Sequence, residues 1–437
     1  MSSPTPFDFF APCPRGLEAA LAAELAEIAG RQPDTAGASR FEVGAQVPGG
    51  VHFRGGWPAA MAANLHSRIA SRVLLKIAER AYRGEQDIYA LAAEQPWERW
   101  FSANETLRVD LTAIKSPLRS LEFATLRVKD AVCDRLRSVS GARPSIDTAQ
   151  PDVRVFAFLT ATQCTLYLDT SGEPLFKRGW RLDKGAAPLR ENLAAGILRL
   201  SGWTPGTPLY DPMCGSGTFV AEAAQISLGV APGVERRFGF EKLKQYDVSA
   251  WQTMKVEALD AKRKAHANKI ELPIFGSDIS GDMLDKARTN LARAGVPSLW
   301  LKQLDARAIV PPTGEPGILV ANPPYGERIA VRGRGPRGEV REPRQGNRDP
   351  GAESFSRAQP DAADGEFFRA FGDALKQRFT GWRAFVLTAD RSLPGQMRLR
   401  ESAKTPLFNG ALECRLFRFD LVSGSVKSRP GAQEPQG

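Results

Sequence analysis

The sequence predicts an α/β protein in which an irregular α+β region precedes a doubly wound parallel sheet. The chain has 437 residues, too many for one ordinary hydrophobic core, so two or three domains are expected. With 42% hydrophobic and 25% charged residues, its composition is typical of globular proteins. Strands and helices follow no regular order before about residue 185, whereas apolar strands alternate with helices after it.

The first region mixes helical and strand periodicities. In chain order the pattern predicts a helix over 16–29, a strand over 50–55, one or two helices over 58–80, a strand over 106–113, a basic amphipathic helix over 123–139 and two strands within 152–172. Such irregular mixing is typical of α+β domains.

The second region alternates regularly. Strands are predicted at PLYDP, PIFGSD, SLWLKQLDA and GILVANPP, with helices at GTFVAEAAQISLG and MLDKARTNLARAG between them. Residues 332–365 contain almost no apolar side chains, and we predict a disordered insertion there. A helix and a strand resume at EFFRAFGDALKQRF and WRAFVLTA, and the tail 423–437 is again poor in apolar residues.

Charge and cysteine usage restrict the function. A formal charge of +10 favours an anionic partner, nucleic acid first and an acidic membrane second. No run approaches the roughly 18 apolar residues of a membrane span, and the start lacks a secretion signal, so we expect a cytoplasmic protein. The scattered cysteines form no CxxC pair, which predicts neither a zinc site nor a disulfide framework. They are Cys13, Cys133, Cys164, Cys214 and Cys414.

A glycine-rich turn follows the strand that ends at Asp211. Glycine allows a tight turn and close approach of a ligand, and the N–H groups at the start of the next helix face that ligand. The stretch DPMCGSGT (211–218) lacks the third glycine of a dinucleotide fingerprint and the GK[ST] of a phosphate-binding loop. NAD and ATP are therefore disfavoured. A carboxylate at Asp211 suits a cationic ligand group such as an α-amino group.

Two further acids end later strands. Asp278 is placed to accept hydrogen bonds from ribose hydroxyls, with an inserted helical segment explaining its distance along the chain from the turn. Asp305 follows the next strand and is placed near an adenine amino group. Each acid alone is more often a helix cap or a turn residue. Three acids at successive strand ends of one sheet favour a nucleoside site.

The motif Asn322-Pro323-Pro324-Tyr325 resembles motif IV of the S-adenosylmethionine-dependent amino-methyltransferases. An NH2 group is a poor nucleophile because its lone pair is delocalised. The amide oxygen of Asn322 and the carbonyl of Pro323 would accept its two hydrogens and aim the lone pair, while proline fixes the backbone. Tyr325 offers a stacking face for a flipped base. A C5-methylating enzyme would need a cysteine nucleophile beside this turn, and none is present.

Most of residues 8–422 resembles the bacterial 23S rRNA guanine-N2 methyltransferase family. The matching stretches include RGLEAALAAEL, GGVHFRG, LDTSGEPLFKRGWR, PLRENLAAGIL, DPMCGSGT and ANPPYGER, in the order of that family. The resemblance implies an N-terminal α+β ferredoxin-like region (1–65), a THUMP RNA-binding domain (66–172) and a class I, Rossmann-like methyltransferase domain (173–422). Some relatives carry a second, guanine-N7 domain after this point, so we expect a single reaction here.

The resemblance also implies site residues. S-adenosylmethionine is the expected cofactor, 23S rRNA or a large-subunit precursor the expected partner, and the protein is expected to be a monomer without a metal. The target-amine residues are Asn322, Pro323, Pro324 and Tyr325. The cofactor residues are Asp211, Pro212, Cys214, Gly215, Ser216, Gly217, Thr218, Asp278, Ile279, Asp305, Ala306 and Asn192. Independently of the resemblance, the basic helix predicted over 123–139 would bind the RNA backbone through Arg127, Lys129 and Arg135, for which a solvated helix face is the alternative.

Other functions stay open at this point. The sequence separates guanine-N2 methylation of rRNA poorly from the same reaction on tRNA. Adenine N6 in DNA and glutamine N5 in a protein are other amino targets, which the N-terminal region disfavours. A non-catalytic RNA-binding assembly factor would require the methylation site to be unused.

Overall fold

The fold is built from two seven-stranded sheets. The computed structural model describes residues 6–32, 40–181, 189–267, 271–296, 298–323 and 362–422, the first three residues of the last range as backbone only. Strands from the first region form one sheet and strands from the second form the other. Within the described part of the chain, no helix is both long and apolar enough to cross a bilayer.

The first sheet is mostly antiparallel. Its elements are β1 (Phe7–Pro12), α1 (Glu18–Gly30), β2 (Glu42–Val47), β3 (Gly50–Gly55), α2 (Trp57–His66), β4 (Leu74–Ala81), α3 (Glu85–Ala93), β5 (Leu107–Ala113), α4 (Leu121–Ser140), β6 (Val153–Leu159) and β7 (Gln163–Asp169). The strand order is β2-β3-β1-β4-β7-β6-β5, and only β5 and β6 run parallel. The side chains of β6 alternate between buried and half-buried positions, as expected for a sheet with one face on the core.

The helix predicted over 58–80 is wrong in its second half. Helix α2 ends at His66, where Ser67 takes an extended conformation, and the chain re-enters the sheet as β4. Strand β4 pairs with β1 on one side and β7 on the other. Its residues are also good helix formers, so the sheet pairing, a long-range interaction, overrides the local preference.

The second sheet has the alternating order that the sequence predicts. Its elements are α5 (Glu191–Leu200), β8 (Leu209–Asp211), α6 (Thr218–Ser227), α7 (Val248–Ala267), β9 (Ile274–Asp278), α8 (Gly281–Arg293), β10 (Trp300–Gln303), β11 (Ile318–Ala321), α9 (Ala362–Arg378), β12 (Arg383–Thr388), α10 (Leu393–Met397), β13 (Ala403–Asn409) and β14 (Leu412–Asp420). The strand order is β10-β9-β8-β11-β12-β14-β13, and among these strands β14 alone runs in the opposite direction to the rest. The order reverses at β8, which is where open α/β sheets bind ligands.

The disordered insertion predicted over 332–365 extends too far at its C-terminal end. Residues 324–361 lie outside the described residues, but 362–365 already belong to α9. Two alanines begin this helix, and alanine has the highest helix propensity. The tail 423–437 also lies outside the described residues.

A buried ion network joins the two regions. The carboxylate of Glu222 on α6 is fully buried and pairs with Arg68 of the first region at 3.0 Å and with Arg178 at 3.1 Å. Arg178 also donates to the carbonyl of Arg68 at 2.6 Å. Buried charges persist only when paired and hydrogen-bonded, so this network fixes the first region against α6.

Candidate functional site

Four polar residues lie at the carboxyl edge of the second sheet. Asp211 ends β8, Asp278 ends β9, Asp305 follows β10 and Asn322 follows β11. These strands are parallel neighbours in the order β10-β9-β8-β11. The fold therefore brings together residues that are 111 positions apart in the chain at their extremes, at the point where the strand order reverses.

Hydrogen bonds hold the glycine-rich turn in place. The Cys214 N–H donates to the Ser277 carbonyl at 2.9 Å, and the Gly215 N–H donates to Asp278 Oδ2 at 2.9 Å. Gly217 precedes α6 with φ +85°, a left-handed conformation that favours glycine, and a Cβ there would lie 3.1 Å from the Cβ of Ala287. The turn is thus shaped by the neighbouring strand end before any ligand binds.

Asp278 organises both the turn and its own strand end. Besides Gly215, its second oxygen accepts from the Ser280 N–H at 2.9 Å. Its carbonyl accepts from the Leu304 N–H at 3.0 Å, which ties β9 to the end of β10. Next to it, the Ile279 side chain is 61% exposed, an apolar surface beside a carboxylate. A sugar with an attached planar base matches this pairing of groups.

Asp211 is a buried carboxylate without a cation beside it in the described part of the chain. Its side chain is buried and accepts one hydrogen bond, from the Met213 N–H at 3.1 Å. Burial, and then the charge of Asp278, raise the pKa of Asp211 well above its usual range. A cationic ligand group would stabilise the charged carboxylate against both its burial and the repulsion from Asp278.

Asp305 has the geometry of a helix cap. It precedes a short 3-10 helix, Ala306–Ala308, and accepts from the Arg307 N–H at 2.9 Å. The Arg307 guanidinium pairs with the same carboxylate at 2.6 Å and holds its pKa below the usual range. The cap interpretation that the sequence left open therefore applies to this residue, and ligand binding would have to use its remaining lone pairs.

Asn192 contacts the first region. Its side-chain amide donates to the Ile69 carbonyl at 3.3 Å and to Ser71 Oγ at 3.1 Å. Its Oδ1 is buried without a hydrogen-bond partner among the described residues. The Asn192 Oδ1 atom is thus available to accept a hydrogen bond from a ligand at the first turn of α5.

The sequence did not predict the part that Arg181 plays. Its guanidinium donates to Ser216 Oγ of the turn at 3.1 Å and to the Leu189 carbonyl at 2.7 Å, and it pairs with Glu191 at 3.5 Å. Arg181 therefore links the turn to the start of α5. Its only sequence signal is its place at the end of the LDTSGEPLFKRGWR stretch.

The motif after β11 is described in part. All four residues of β11 are buried, Asn322 is half-buried and Pro323 is buried. Pro324 and Tyr325 lie outside the described residues. Burial raises the pKa of the Cys214 thiol well above its ordinary value, so a thiolate nucleophile is disfavoured there. Among the described residues, no group of metal-ligating side chains is suitably clustered for an ion.

The basic side chains of α4 are engaged with neighbours. Arg127 stacks on the Tyr89 ring at 4.2 Å and donates to Gln86 at 2.8 Å. Arg135 pairs with Glu98 at 2.6 Å, and Lys129 pairs with its neighbour Asp130 at 3.1 Å. To bind an RNA phosphate, each of these side chains would have to leave its present partner.

Comparisons with known proteins identify the family. Sequence models match at residues 8–74 (RlmL ferredoxin-like domain), 82–169 (THUMP domain) and 178–336 (RMKL-like methyltransferase domain). A Synechocystis sp. protein named "Putative RNA methyltransferase slr0064" is 34% identical over 96% of this chain and 98% of its own length. The chain belongs to this family of THUMP-containing, RMKL-like methyltransferases. The class I, Rossmann-like fold predicted from the resemblance is thereby confirmed.

Other members of the family extend beyond this chain. The Aeromonas hydrophila protein "Ribosomal RNA large subunit methyltransferase K/L" is 36% identical over 97% of this chain, but only 55% of its own length is covered. The chain thus spans about half the length of such curated relatives.

Solved structures agree with the family. "SMU.472, a putative methyltransferase complexed with SAH" has a TM-score of 0.76 and 27% identity, covering 98% of this chain and all of that one. A Listeria monocytogenes protein described as a predicted N6-adenine-specific DNA methylase has a TM-score of 0.75 and 27% identity, covering 95% and 96% of the two chains.

Proposed function

We propose that this chain transfers a methyl group from S-adenosylmethionine to the exocyclic N2 amine of one guanine in 23S rRNA. The observation that carries the proposal is the position of Asn322-Pro323 directly after β11, on the same sheet edge as the Asp211 turn and Asp278. In the proposal, the two residues are an amine-accepting motif beside a nucleoside-type site, and their shared sheet edge supports it. Membership of an RNA methyltransferase family makes RNA the substrate class.

The residues present fit the cofactor. When bound, S-adenosylmethionine supplies an electrophilic methyl group on a sulfonium. Asp278 and Ile279 would hold its ribose and one face of its adenine, and Asp305 and Ala306 the edge of that base. The turn, with Asn192, would hold the methionine end, where the buried Asp211 meets the ammonium group. The turn residues are Asp211, Pro212, Cys214, Gly215, Ser216, Gly217 and Thr218.

The chain acts on the target by positioning. In the proposal, the Asn322 amide oxygen and the Pro323 carbonyl accept the two hydrogens of the guanine amine and aim its lone pair at the methyl carbon. Pro324 restricts the backbone and Tyr325 stacks on the flipped base. Orientation and prearranged acceptors supply most of the rate enhancement, without a covalent intermediate or a metal.

The first region holds the RNA. The net charge of +10 favours a polyanion, and α4 offers Arg127, Lys129 and Arg135 for phosphate contacts. The protein acts as a monomer in the cytoplasm in this proposal. Light scattering of the purified protein with and without rRNA checks the monomeric state.

Nucleoside mass spectrometry after methylation of a substrate panel tests the proposed function. The panel is unmodified large-subunit rRNA, tRNA, duplex DNA and a release factor, each with labelled S-adenosylmethionine. N2-methylguanosine in rRNA alone is the expected result. The same nucleoside in tRNA would point to the sibling reaction, and N6-methyladenine in DNA to the activity described for the Listeria neighbour. RNA binding without any methylation would favour an assembly factor.

Cofactor binding is expected to release a proton from Asp211. Because the pKa of this buried carboxyl is raised, the free protein holds a proton there at pH values below that pKa. The cofactor's ammonium group stabilises the carboxylate. The apparent affinity of the protein for the cofactor therefore rises with pH until Asp211 is ionised in the free protein. Calorimetry in buffers of different ionisation enthalpy, over acidic to neutral pH, measures the release. Asp211→Asn should abolish the buffer dependence, and a wild-type heat independent of buffer would contradict the assignment.

A further inference from the structure

A cavity lies between the first region and the carboxyl edge of the second sheet. Its volume is about 180 Å³. The walls are the 13–15 loop after β1, Ser71, the start of α5 with Arg190 and Leu193, and the β13–β14 turn at 408–410. Both regions of the chain therefore build it.

Two arginines in this cavity have no acidic partner in the described part of the chain. The Arg15 guanidinium lies 5.1 Å from the centre of the Phe408 ring, and that of Arg190 lies 5.0 Å from the Phe176 ring. Neither forms an ion pair with any residue that the structure describes. By contrast, Arg391 and Arg415 on nearby elements both pair with Glu413, at 3.0 and 3.3 Å. A guanidinium stacked on an aromatic ring keeps its in-plane N–H donors available for an anion.

Close backbone contacts fix the loop that carries Arg15. Gly16 has φ +93°, and a Cβ on it would overlap the Pro406 carbonyl of β13. On the other side, Leu17 packs against Gly196 of α5, where a Cβ would also overlap. The loop is thus packed tightly between α5 and β13. This packing positions Arg15 in the same cavity as Arg190 before a ligand binds.

The cavity borders the target side of the proposed active site. Strand β14 runs antiparallel to β12, with Thr388 opposite Arg415, so the β13–β14 turn projects from the same edge as Asn322. The cavity residues Phe408 and Asn409 end β13, which is three strand spacings from β11, about 14 Å. The acids that suit a nucleoside, Asp278 and Asp305, lie on the other side of β8. An anion in the cavity would therefore lie on the target side of the proposed active site.

We propose that Arg15 and Arg190 bind a backbone phosphate of the RNA strand that carries the methylated nucleotide. This inference rests on the proposed function. Guanidinium groups bind phosphate oxygens with paired, charge-assisted hydrogen bonds. Arg15 comes from the ferredoxin-like region and Arg190 from the methyltransferase domain. Both arginines would therefore bind the phosphate together only when the two regions are correctly docked. The site positions RNA and carries no base specificity of its own.

The salt dependence of RNA binding tests the site. The variants are Arg15→Gln, Arg190→Gln and, as a matched control, Arg263→Gln on α7, which removes one charge from a side chain that is 74% exposed. Replacing both arginines removes the phosphate contact and should reduce the magnitude of the slope of log K against log [salt] by about 0.7, with a smaller reduction in each single variant. The KM for rRNA should rise about tenfold with kcat little changed, and the control should match the wild type. Arg15 is exposed, so its replacement leaves the core intact.

Calorimetry with S-adenosylmethionine separates the two sources of the anion. The cofactor Kd should stay within about twofold of the wild-type value in both variants. A raised cofactor Kd with an unchanged salt slope would assign the cavity to the cofactor carboxylate and overturn the phosphate site. Unchanged slopes and unchanged Kd would overturn it as well. The binding readout does not need catalysis: a reduced slope in a protein that methylates no rRNA would retain the phosphate site and reject the proposed function.

Discussion

Replacing Asn322 by alanine is expected to lower kcat by about 10²–10³-fold, the effect of removing one prearranged hydrogen-bonding group from an active site. The amide oxygen is proposed to act on the reacting amine, so the loss falls on the chemical step rather than on RNA binding. Single-turnover methylation of rRNA at saturating cofactor measures it. The affinities for RNA and for cofactor should both stay within about threefold of wild type.

A matched control for this variant is Asn104→Ala, since Asn104 is exposed on the first region. It should leave the single-turnover rate unchanged. If Asn322→Ala methylated rRNA at the wild-type rate, the target-amine assignment would be wrong. If it lost RNA binding as strongly as activity, the residue would belong to the RNA surface instead.

Replacing Glu222 by alanine is expected to destabilise the fold by about 3–5 kcal/mol, because it leaves Arg68 and Arg178 buried without their shared carboxylate. The side chain of Arg178 is 1% exposed, so water offers it little compensation. Urea unfolding followed by tryptophan fluorescence measures the change in the free energy of unfolding.

The comparison for that prediction is an exposed ion pair. Asp260 and Arg263 on α7 are 2.7 Å apart, with side chains 50% and 74% exposed, and Asp260→Ala should change stability by less than about 0.5 kcal/mol. If Glu222→Ala cost no more than this surface control, the buried network would not hold the two regions together. A separate early transition in the variant would show that docking is lost before the domains unfold.

Local patterns were sufficient to predict the five parallel strands β8 to β12 of the second sheet. Strand β8, the Asp211 turn and α6 follow one another within 19 residues, and their glycines and apolar residues are set by local backbone and packing requirements. The same holds for Asp278 and Asn322, which end buried strands. The strand order that brings them to one edge follows from the alternation of strands and helices.

Elements that depend on long-range interactions could not be predicted from local sequence patterns. Strand β4 was predicted as helix because its partners, β1 and β7, are far from it in sequence. Strands β1, β2, β13 and β14 are short or carry irregular apolar patterns, and pairing rather than pattern defines them. The Arg68–Glu222–Arg178 network joins three distant segments with no common spacing, so no sequence periodicity could indicate it.

The sequence predicts that the proposed site residues follow strand ends, but it does not predict the side chains that contact them. Asp305 proves to cap a short helix and Arg135 to pair with Glu98, both tertiary facts. Arg181 was missed because its contact with Ser216 depends on the docking of the chain that precedes α5. A mutational study of the glycine-rich turn should therefore include these contacting residues first.

We propose that this chain methylates guanine N2 in 23S rRNA through Asn322. The most direct measurement is mass-spectrometric mapping of 23S rRNA from cells that lack the chain, and from the same cells expressing the wild type or Asn322→Ala. The predicted result is one N2-methylguanosine that is absent without the chain, returns with the wild type and does not return with the variant. An unchanged modification pattern in cells lacking the chain, or full restoration by Asn322→Ala, would contradict the claim.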